Sequence, residues 1–253
     1  FFWWFCDLKS WNTRSQNQYD ALYTRCTTKP CRRVCKQGLK QRFKRESSHI
    51  QLPLSRINQK TNMTNFNLNT YVQHTLKSYL VNFPKETERF TILQKQLTNW
   101  ENIWSRKNFN GHMTACAYLI NDGKCLKIHH IGLDKWLAPG GHREEGDNEL
   151  YHTAMRELSE EAWIKHAELH PWHKEHEMLP LDIDTHYIPH SKKKNEDEHF
   201  HHDFRFVFVL NSDHKINLQE EEVSGYERVW ADKFPQDPSS QAILAKLQDL
   251  NLI

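Results

Sequence analysis

The most constraining feature of the chain is the segment of residues 140–164, in which a Gly-Gly turn leads into a predicted helix that ends in acidic residues. The final turn of this helix carries Glu157, Glu160 and Glu161. Positions three and four apart share a helix face, so the three carboxylates are predicted to converge on one patch, where each like-charged pair costs roughly a few tenths of a kcal/mol. The helix dipole also disfavours anions at this end. A bound divalent cation would relieve both penalties, so the pattern indicates a functional site.

The same segment has the signals of an amphipathic helix. Asp147 is a suitable N-cap, and an apolar stripe with four-residue spacing is formed by Leu150, Ala154 and Leu158. Grouped carboxylate oxygens suit Mg²⁺ or Mn²⁺, which take phosphate oxygens of a substrate as further ligands. Such a site can position and polarise a diphosphate and generate a nucleophile from water. The competing interpretation is a solvated charged face, the common explanation of an isolated Glu-x-x-Glu-Glu.

This segment resembles the Nudix box, whose pattern is Gly-x5-Glu-x7-Arg-Glu-U-x-Glu-Glu-x-Gly-U, with U a bulky aliphatic residue. The matching positions are Gly141, Arg156, Glu157, Leu158, Glu160, Glu161 and Ile164. The resemblance implies a pyrophosphohydrolase that cleaves a nucleoside diphosphate linked to another moiety, by attack of water on phosphorus. It also implies that Glu157, Glu160, Glu161 and the Gly140 carbonyl bind Mg²⁺ or Mn²⁺. Arg156 would then hold the helix and the preceding loop together through an ion pair.

The segment departs from the Nudix box at two points. One extra residue lies between the box glycine and the box arginine, so the first acidic position falls on either Asp147 or Asn148, and Glu144 or Glu145 could compensate from the loop. The glycine expected near the end of the box is Trp163. Glycine there would take a left-handed conformation that Trp adopts only at a cost. Neither change removes a core ligand.

The flanking sequence predicts the elements around this helix. An apolar run over residues 113–120 stops at an Asn-Asp-Gly turn and returns over residues 124–131, which is a strong hairpin signal. Residues 223–230 read as a further strand, and Asp237 or Ser239 opens a last amphipathic helix. The order of these elements looks like a Nudix fold. We therefore expect an α/β/α sandwich with a mixed β-sheet.

Two later segments, residues 181–187 and 199–209, alternate with a period of two, which is typical of strands. One face of the second segment is phenylalanine-rich and is predicted to be core. The other face carries His199, His201, Asp203 and Arg205, and strand pairing could add Asp182, Asp184 and His186.

Three interpretations of this polar face stay open. It is an exposed strand face, or it binds substrate through His199, His201, Asp203 and Arg205 together with His142 of the loop, or it is a zinc site. No closed tetrahedral ligand set is evident for zinc from the sequence alone. The run from Asp182 to Phe206 also resembles an uncharacterised Nudix subgroup, a likeness that names no substrate.

A general base has two candidates near the end of the chain. In many Nudix sequences, a Glu shortly before a Trp of the kind found at Trp230 acts as general base or extra metal ligand. Glu227 is in that position, and Glu222 is the second candidate. The alternative is that each is merely exposed.

Charge and composition divide the chain near residue 62. Residues 1–62 hold thirteen Lys and Arg against three Asp and Glu, a net +10, whereas the rest carries 21 against 29, a net −8. The first methionine is Met63, so we predict that 1–62 is a leader outside the native protein and that 63–253 is the Nudix domain, with a helical appendage over 63–109 and the core over 110–253. Residues 68–109 read as mostly helical.

Cysteine usage and charge narrow the function classes. Cys26, Cys31 and Cys35 of the leader do not have standard zinc spacing, and Cys116 and Cys125 are predicted to be buried free thiols. No export or membrane signal is evident, which favours the cytoplasm. The acidic main body disfavours binding of a nucleic-acid polymer. The resemblance to the Nudix family implies a small nucleotide as the partner.

Two alternatives to the hydrolase are kept. A non-catalytic Nudix-fold module could hold a nucleotide without cleaving it, as the extra box residue and Trp163 would favour. An isoprenoid-diphosphate isomerase would need a positioned Cys and Glu, for which Cys116 and Cys125 are poor matches. A homodimer is the expected candidate assembly.

Overall fold

The structure is a computed structural model that describes residues 65–192, 195–210 and 216–253. The predicted leader over residues 1–62, with its cysteines, lies outside these ranges. Its separation from the domain and a start at Met63 therefore stay predictions. Among the described helices, none has both the length and the apolar character needed to cross a bilayer.

The N-terminal appendage is helical over most of the predicted stretch. Helix α1 (Asn65–Asn82) is followed by a 3-10 helix (Pro84–Phe90) and by α2 (Thr91–Thr98). Proline at the start of the 3-10 helix has no N–H to lose from an intrahelical bond. Residues 99–110 form turns, so the helical prediction was wrong for that last part. Phe90 at the end of the 3-10 helix is buried in the main core, which makes the appendage part of the fold.

The predicted hairpin is confirmed. Strand β1 (His112–Asn121) pairs with β2 (Lys124–His130) through a two-residue turn. Asp122 and Gly123 have φ values of 49° and 71°, the left-handed pair that a tight hairpin needs.

Within the described residues, the remaining strands complete one mixed sheet of eight strands. They are β3 (Lys135–Leu137), β4 (Gly140–His142), β5 (Glu168–Leu169), β6 (Asp182–Ile188), β7 (His199–Val209) and β8 (Val223–Val229). The central path is β3-β2-β1-β7-β5, with β4 on β1, β6 on β7 and β8 on β2. Strands β1 and β7 are parallel, while the other pairs are antiparallel.

Helices cover both faces of the sheet. On one face α3 (Leu150–Ala162), α1 and α2 pack on a core that includes Ala115 and Ala117 of β1. On the other face α5 (Pro238–Asp249) packs on Cys116 and Tyr118. A short α4 (Pro171–Glu175) precedes β6. The predicted α/β/α sandwich with a mixed sheet is confirmed.

Two details near the box differ from expectation. The Gly-Gly turn is a short strand, because Gly140 and Gly141 pair with β1 opposite Cys116 and Ala115. Helix α3 begins at Leu150 with Glu149 at the N-cap position, so the prediction of Asp147 as N-cap was wrong. The last helix is capped as predicted, since Asp237 accepts a hydrogen bond from the backbone N–H of Ser240 at 2.9 Å.

Candidate active site

The acidic end of α3 closes with a left-handed residue. Trp163 follows the helix with φ 56° and ψ 27°, the conformation expected for the box glycine. Its side chain is 58% exposed, so the ring is accommodated outside the core. The substitution therefore preserves the helix ending, at the backbone cost of a left-handed non-glycine residue.

Of the three α3 carboxylates, Glu161 is buried, Glu157 is partly buried and Glu160 is exposed. Burial raises the pKa of Glu157 to about 7, with Glu160 and Glu144 adding to the rise and Arg156 opposing it. Burial likewise raises the pKa of Glu161 to about 8, and the charges of Glu157, Glu222 and Glu160 push in the same direction. These two neighbouring carboxylates thus resist ionisation unless positive charge comes close.

Arg156 joins the helix to the segment before it. Its Nη2 donates to the carbonyl of His142 at 2.7 Å and to Glu157 at 3.0 Å, while Nη1 donates to Glu160 at 2.8 Å. Its Nε donates to Oδ2 of Asp147 at 3.3 Å. This geometry agrees with the ion-pairing role that the resemblance implies for this arginine.

Of the two candidates for the first acidic position of the box, Asp147 is the one whose side chain contacts Arg156. Its Oδ2 also accepts hydrogen bonds from the Thr153 hydroxyl at 2.9 Å and from the Glu144 backbone N–H at 3.0 Å. Asn148 is exposed. The extra residue is therefore absorbed before α3, and the carboxylate still reaches the arginine.

The two glycines of β4 allow a close approach between strand and helix. A Cβ built on Gly141 would overlap the carboxylate of Glu157, and one on Gly140 would overlap Cys116. The backbone N–H of Gly140 donates to Oε2 of Glu161 at 2.9 Å. Gly140 therefore tolerates nothing larger, because the added atom would meet the β1 backbone, whereas a larger residue at Gly141 would have to displace the Glu157 carboxylate.

The donor set at the end of α3 fits a hard divalent cation, because it offers carboxylate oxygens and a neighbouring backbone carbonyl. The three ligand atoms are more widely spaced than predicted. Glu160 turns toward Arg156 and Glu161 toward Gly140, and the trio does not bring its ligand atoms within 4.8 Å of one another. A cation would have to draw Glu160 away from the arginine.

An acidic loop lies beside this helix end. The backbone N–H of Gln219 approaches the carbonyl of Glu161 at 3.4 Å, and Glu222 is close enough to influence the Glu161 carboxylate. An open groove of about 610 Å³ lies here, lined in part by Trp163 and Glu220. The groove is acidic, so a diphosphate would enter it favourably only together with cations.

The two candidate bases lie in different places. Glu222 lies in this acidic loop. Glu227 is exposed on β8 opposite Lys127, whose ammonium lies over the rings of Tyr118 and Phe234 on the α5 side of the sheet. The structure therefore brings Glu222, and not Glu227, to the α3 carboxylates.

The polar face of β6 and β7 is covered by other elements. Asp182 lies opposite Arg205, and Asp184 lies opposite Asp203, as strand pairing was expected to place them. The Arg205 side chain is only 7% exposed and forms ion pairs with all three aspartates, at 3.0 to 3.2 Å. These partners within the protein favour a structural role for Asp203 and Arg205 over contact with substrate.

The same network ties the appendage and the last helix to the sheet. Arg89 of the 3-10 helix pairs with Asp182 and Asp184 at 3.1 and 3.3 Å, and Lys246 of α5 pairs with Asp182 at 2.7 Å. Paired in this way, the charges can be buried. The ion pairs of Arg89 and Lys246 were not predicted from the sequence, because nothing in the local pattern around either residue indicates a partner so distant in the chain.

The predicted histidines are gathered on the α5 side of the sheet. His142, His199 and His201 lie together with His112, which sequence analysis missed. His112 sits at the start of β1, directly opposite His201 in the parallel pair. Only the His-x-His spacing of β7 was visible as a signal.

One family model and several solved structures are similar to this chain. A model of the NUDIX domain matches residues 111–247. Among solved structures, a C. elegans Ap4A hydrolase binary complex is 17% identical, with a TM-score of 0.43 over 55% of this chain and 96% of that one. A NUDIX-family hydrolase from Clostridium perfringens is 19% identical, with a TM-score of 0.40 over 56% and 97%.

A third similar structure is the NUDIX domain of Shewanella oneidensis NrtR, complexed with ADP ribose. It is 19% identical, with a TM-score of 0.37 over 62% of this chain and 97% of that one. No curated protein matches the chain.

Proposed function

The chain belongs to the Nudix family, a family of pyrophosphohydrolases, and we propose that it uses Mg²⁺ or Mn²⁺ to hydrolyse a nucleoside diphosphate linked to another moiety. The supporting observation is the pair of carboxylates, the partly buried Glu157 and the buried Glu161, held against the glycines of β4. Their raised pKa values mark a place where added positive charge is favourable.

In this proposal Glu157, Glu160 and Glu161 hold the ion, and the Gly140 carbonyl adds a ligand. When bound, the ion supplies charge neutralisation for the diphosphate and Lewis acidity toward its oxygens. Arg156 positions these carboxylates through its contacts with Glu157 and Glu160. It touches neither water nor substrate in this scheme.

Proton removal from the attacking water is assigned to Glu222, with Glu227 as the alternative. Glu222 is favoured because it lies beside Glu161. A general base must reach the water within hydrogen-bond distance, and the loop of residues 219–222 lies on the same side of the sheet as α3.

Phosphorus NMR on a substrate panel tests the reaction. The full chain is incubated in Mg²⁺ with ADP-ribose, dinucleotide polyphosphates, capped nucleotides and oxidised nucleoside triphosphates. We expect at least one substrate to give two phosphate-bearing products, with ¹⁸O from labelled water on one phosphorus. Absence of cleavage across the panel, with binding retained, would support the non-catalytic module instead.

Variants of the carboxylates test the site. Glu161→Gln and Glu160→Gln are each expected to lower kcat by orders of magnitude, because each removes an anionic ligand. Glu88→Gln is the matched control, since it makes the same change at an exposed position of the appendage. Near-wild-type kcat for both site variants would contradict the proposed metal ligands.

The isomerase alternative is disfavoured by the cysteines. Cys116 and Cys125 are free and buried, as predicted, and burial raises the pKa of each thiol. A buried thiol of raised pKa is poorly placed to exchange protons with a substrate. Retention of the diphosphate with rearrangement of an isoprenoid substrate would restore this alternative.

The proposal also includes the partner, the location and the assembly of the protein. We propose a small nucleotide as partner, a cytoplasmic location and a homodimer as the assembly. Light scattering of the purified chain tests the last point, and microscopy of a tagged chain in its native cell tests the location.

A further inference from the structure

We propose that His112, His142, His199 and His201, here called the histidine cluster, form a second metal site that binds a zinc-class transition ion. The site is separate from the α3 carboxylates, because its rings lie on the opposite face of the sheet. It is independent of the hydrolase proposal, since it rests on different residues.

The nitrogen atoms of the cluster are already close to one another. Nε2 of His112 is 3.0 Å from Nε2 of His142, and Nε2 of His199 is 3.1 Å from Nε2 of His201. Ligand atoms of His112, His199 and His201 all lie within 4.8 Å of one another, a set found in no other His, Cys, Asp or Glu group of the described residues. Zinc–nitrogen bonds of about 2.0–2.1 Å in a tetrahedron separate ligand nitrogens by about 3.3 Å. The spacing of these three rings is close to that of a zinc site, and the ion would draw the His142 ring, which lies outside this set, toward His199 and His201.

Backbone contacts prepare two of the rings as ligands. Nδ1–H of His112 donates to the carbonyl of Asn108 at 3.1 Å, and Nδ1–H of His199 donates to the carbonyl of Asp197 at 2.7 Å. A carbonyl can only accept, so the proton of each neutral ring is on Nδ1 and the lone pair is on Nε2. Protein metal sites commonly orient histidines through such outer contacts.

Burial favours the neutral form of His112 and His201, because it lowers the pKa of both rings. His112 is 2% exposed and His199 is 4% exposed. Burial lowers the pKa of His201 to about 2, and the neighbouring His142 and His112 act in the same direction. Neutral imidazole is the form that ligates metal.

The strand pairing brings the four rings to one side. His199 and His201 are two apart on β7 and share a face, His112 pairs directly with His201, and His142 pairs with Thr114 on β1. Three strands therefore converge on one point, as a stable site requires. His186 of β6, opposite His201 and hydrogen-bonded to Asp184 at 3.0 Å, lies at the border of the cluster.

The donor atoms decide the class of ion. Imidazole nitrogens suit zinc, nickel, cobalt and copper, whereas Mg²⁺ and Ca²⁺ prefer oxygen. With four nitrogens and no carboxylate among the four, the cluster should discriminate against Mg²⁺. The same chain would then carry a hard-oxygen site and a nitrogen site.

The ion would also brace the strand that carries the box glycines. His142 follows Gly141 directly, and its carbonyl accepts from Arg156. Fixing the His142 ring on β1 and β7 would hold β4 against α3. The site is therefore expected to be structural, and its main effect should be on the stability of the folded protein.

Metal content and spectroscopy test the proposal. The tag-free full chain is stripped with a chelator and titrated with Zn²⁺ and Co²⁺ in excess Mg²⁺, which occupies the oxygen site. We expect one equivalent of Zn²⁺ to remain after gel filtration and to raise Tm, and Co²⁺ to give visible absorption without a thiolate charge-transfer band. The Cys26→Ser/Cys31→Ser/Cys35→Ser variant excludes binding by the leader.

Variants locate the ion. His112→Gln and His199→Gln are expected to lose the retained equivalent and the Tm increase, while Glu161→Gln and the exposed His74→Gln keep both. Should the cluster variants not fold, long-range ¹H–¹⁵N spectra of the wild-type imidazoles decide, because Zn²⁺ must shift Nε2 of these rings. No retained ion, or an ion kept by both cluster variants, would overturn the site.

Discussion

The carbonyl oxygen of His142 accepts a hydrogen bond of 2.7 Å from Nη2 of Arg156, which links strand β4 to the acidic helix α3. The same histidine places its ring against His112 on the other side of the sheet. His142 thus connects the carboxylate site, through its carbonyl, with the histidine cluster, to which its ring belongs.

Replacing Arg156 by lysine tests this link. A lysine keeps the charge but cannot make the forked contacts with the carbonyl and the carboxylates. We expect the free energy of unfolding to fall by about 2 kcal/mol and kcat by about 10²-fold, as measured by urea denaturation and turnover. Arg106→Lys, in an exposed pair with Glu196, should change stability by less than about 0.5 kcal/mol. Equal effects of the two changes would argue against the link.

Gly141→Ala should displace the Glu157 carboxylate, because the added methyl group would occupy its place. We expect kcat to fall by about 10²-fold with the fold retained. The control is Gly225→Ala, a strand glycine at which the added methyl group meets only Trp136, at 3.6 Å. Unchanged kcat in Gly141→Ala would show that the close approach is not needed.

Trp163→Gly should stabilise the protein. The left-handed conformation costs a non-glycine residue about 1 kcal/mol, and the exposed ring contributes little burial. Urea denaturation should therefore give a higher unfolding free energy by about that amount. Trp230→Gly is the comparison, since that ring is similarly exposed but its φ is −78°, and it should destabilise. A loss of stability in both would contradict the backbone argument.

Glu222→Gln and Glu227→Gln separate the two candidate bases. Glu222 lies beside Glu161, whereas Glu227 lies across the sheet. We expect Glu222→Gln to lower kcat by about 10²-fold, the usual contribution of a general base, and to lower it more than Glu227→Gln. Steady-state kinetics at saturating substrate measures this. The opposite order would return the role to Glu227.

Stability should fall in acid because of His173. Its Nδ1–H donates to the Leu179 carbonyl and its Nε2 accepts from the Val207 N–H, so the ring is neutral in the folded state. Burial lowers its pKa to about 4 from 6.5. The unfolded chain binds the proton more readily, so the stabilisation is complete above pH 6.5 and is lost as pH falls toward 4, by up to about 3 kcal/mol.

Urea denaturation at several pH values measures this loss. His173→Gln cannot titrate, so its stability should depend less on pH between 6.5 and 4 than that of the wild type. His74→Gln, at an exposed position, should leave the dependence unchanged. In His173→Gln a part of the pH dependence of stability will persist, because burial also lowers the pKa of His202. Identical slopes in His173→Gln and the wild type would refute this assignment.

Local sequence patterns were sufficient to predict much of the fold. The Asn-Asp-Gly turn gave the hairpin of β1 and β2, and the alternation of residues 199–209 gave β7, because both signals depend on neighbours in the chain. The box helix was predicted with an early start, since Asp147 has a cap-like sequence but turns its carboxylate to Arg156.

The sequence by itself determined the family, the strand and helix types, and the presence of three glutamates in the last turns of α3. Only the tertiary structure decided that Asp147 contacts Arg156, that Arg205 is enclosed by Asp182 and Asp184, and that His112 joins the other histidines. The physical reason is the range of the interactions. Helical and strand periodicity acts over a few residues, whereas these contacts join segments that become neighbours only when β1, β6 and β7 pair and the helices close over them.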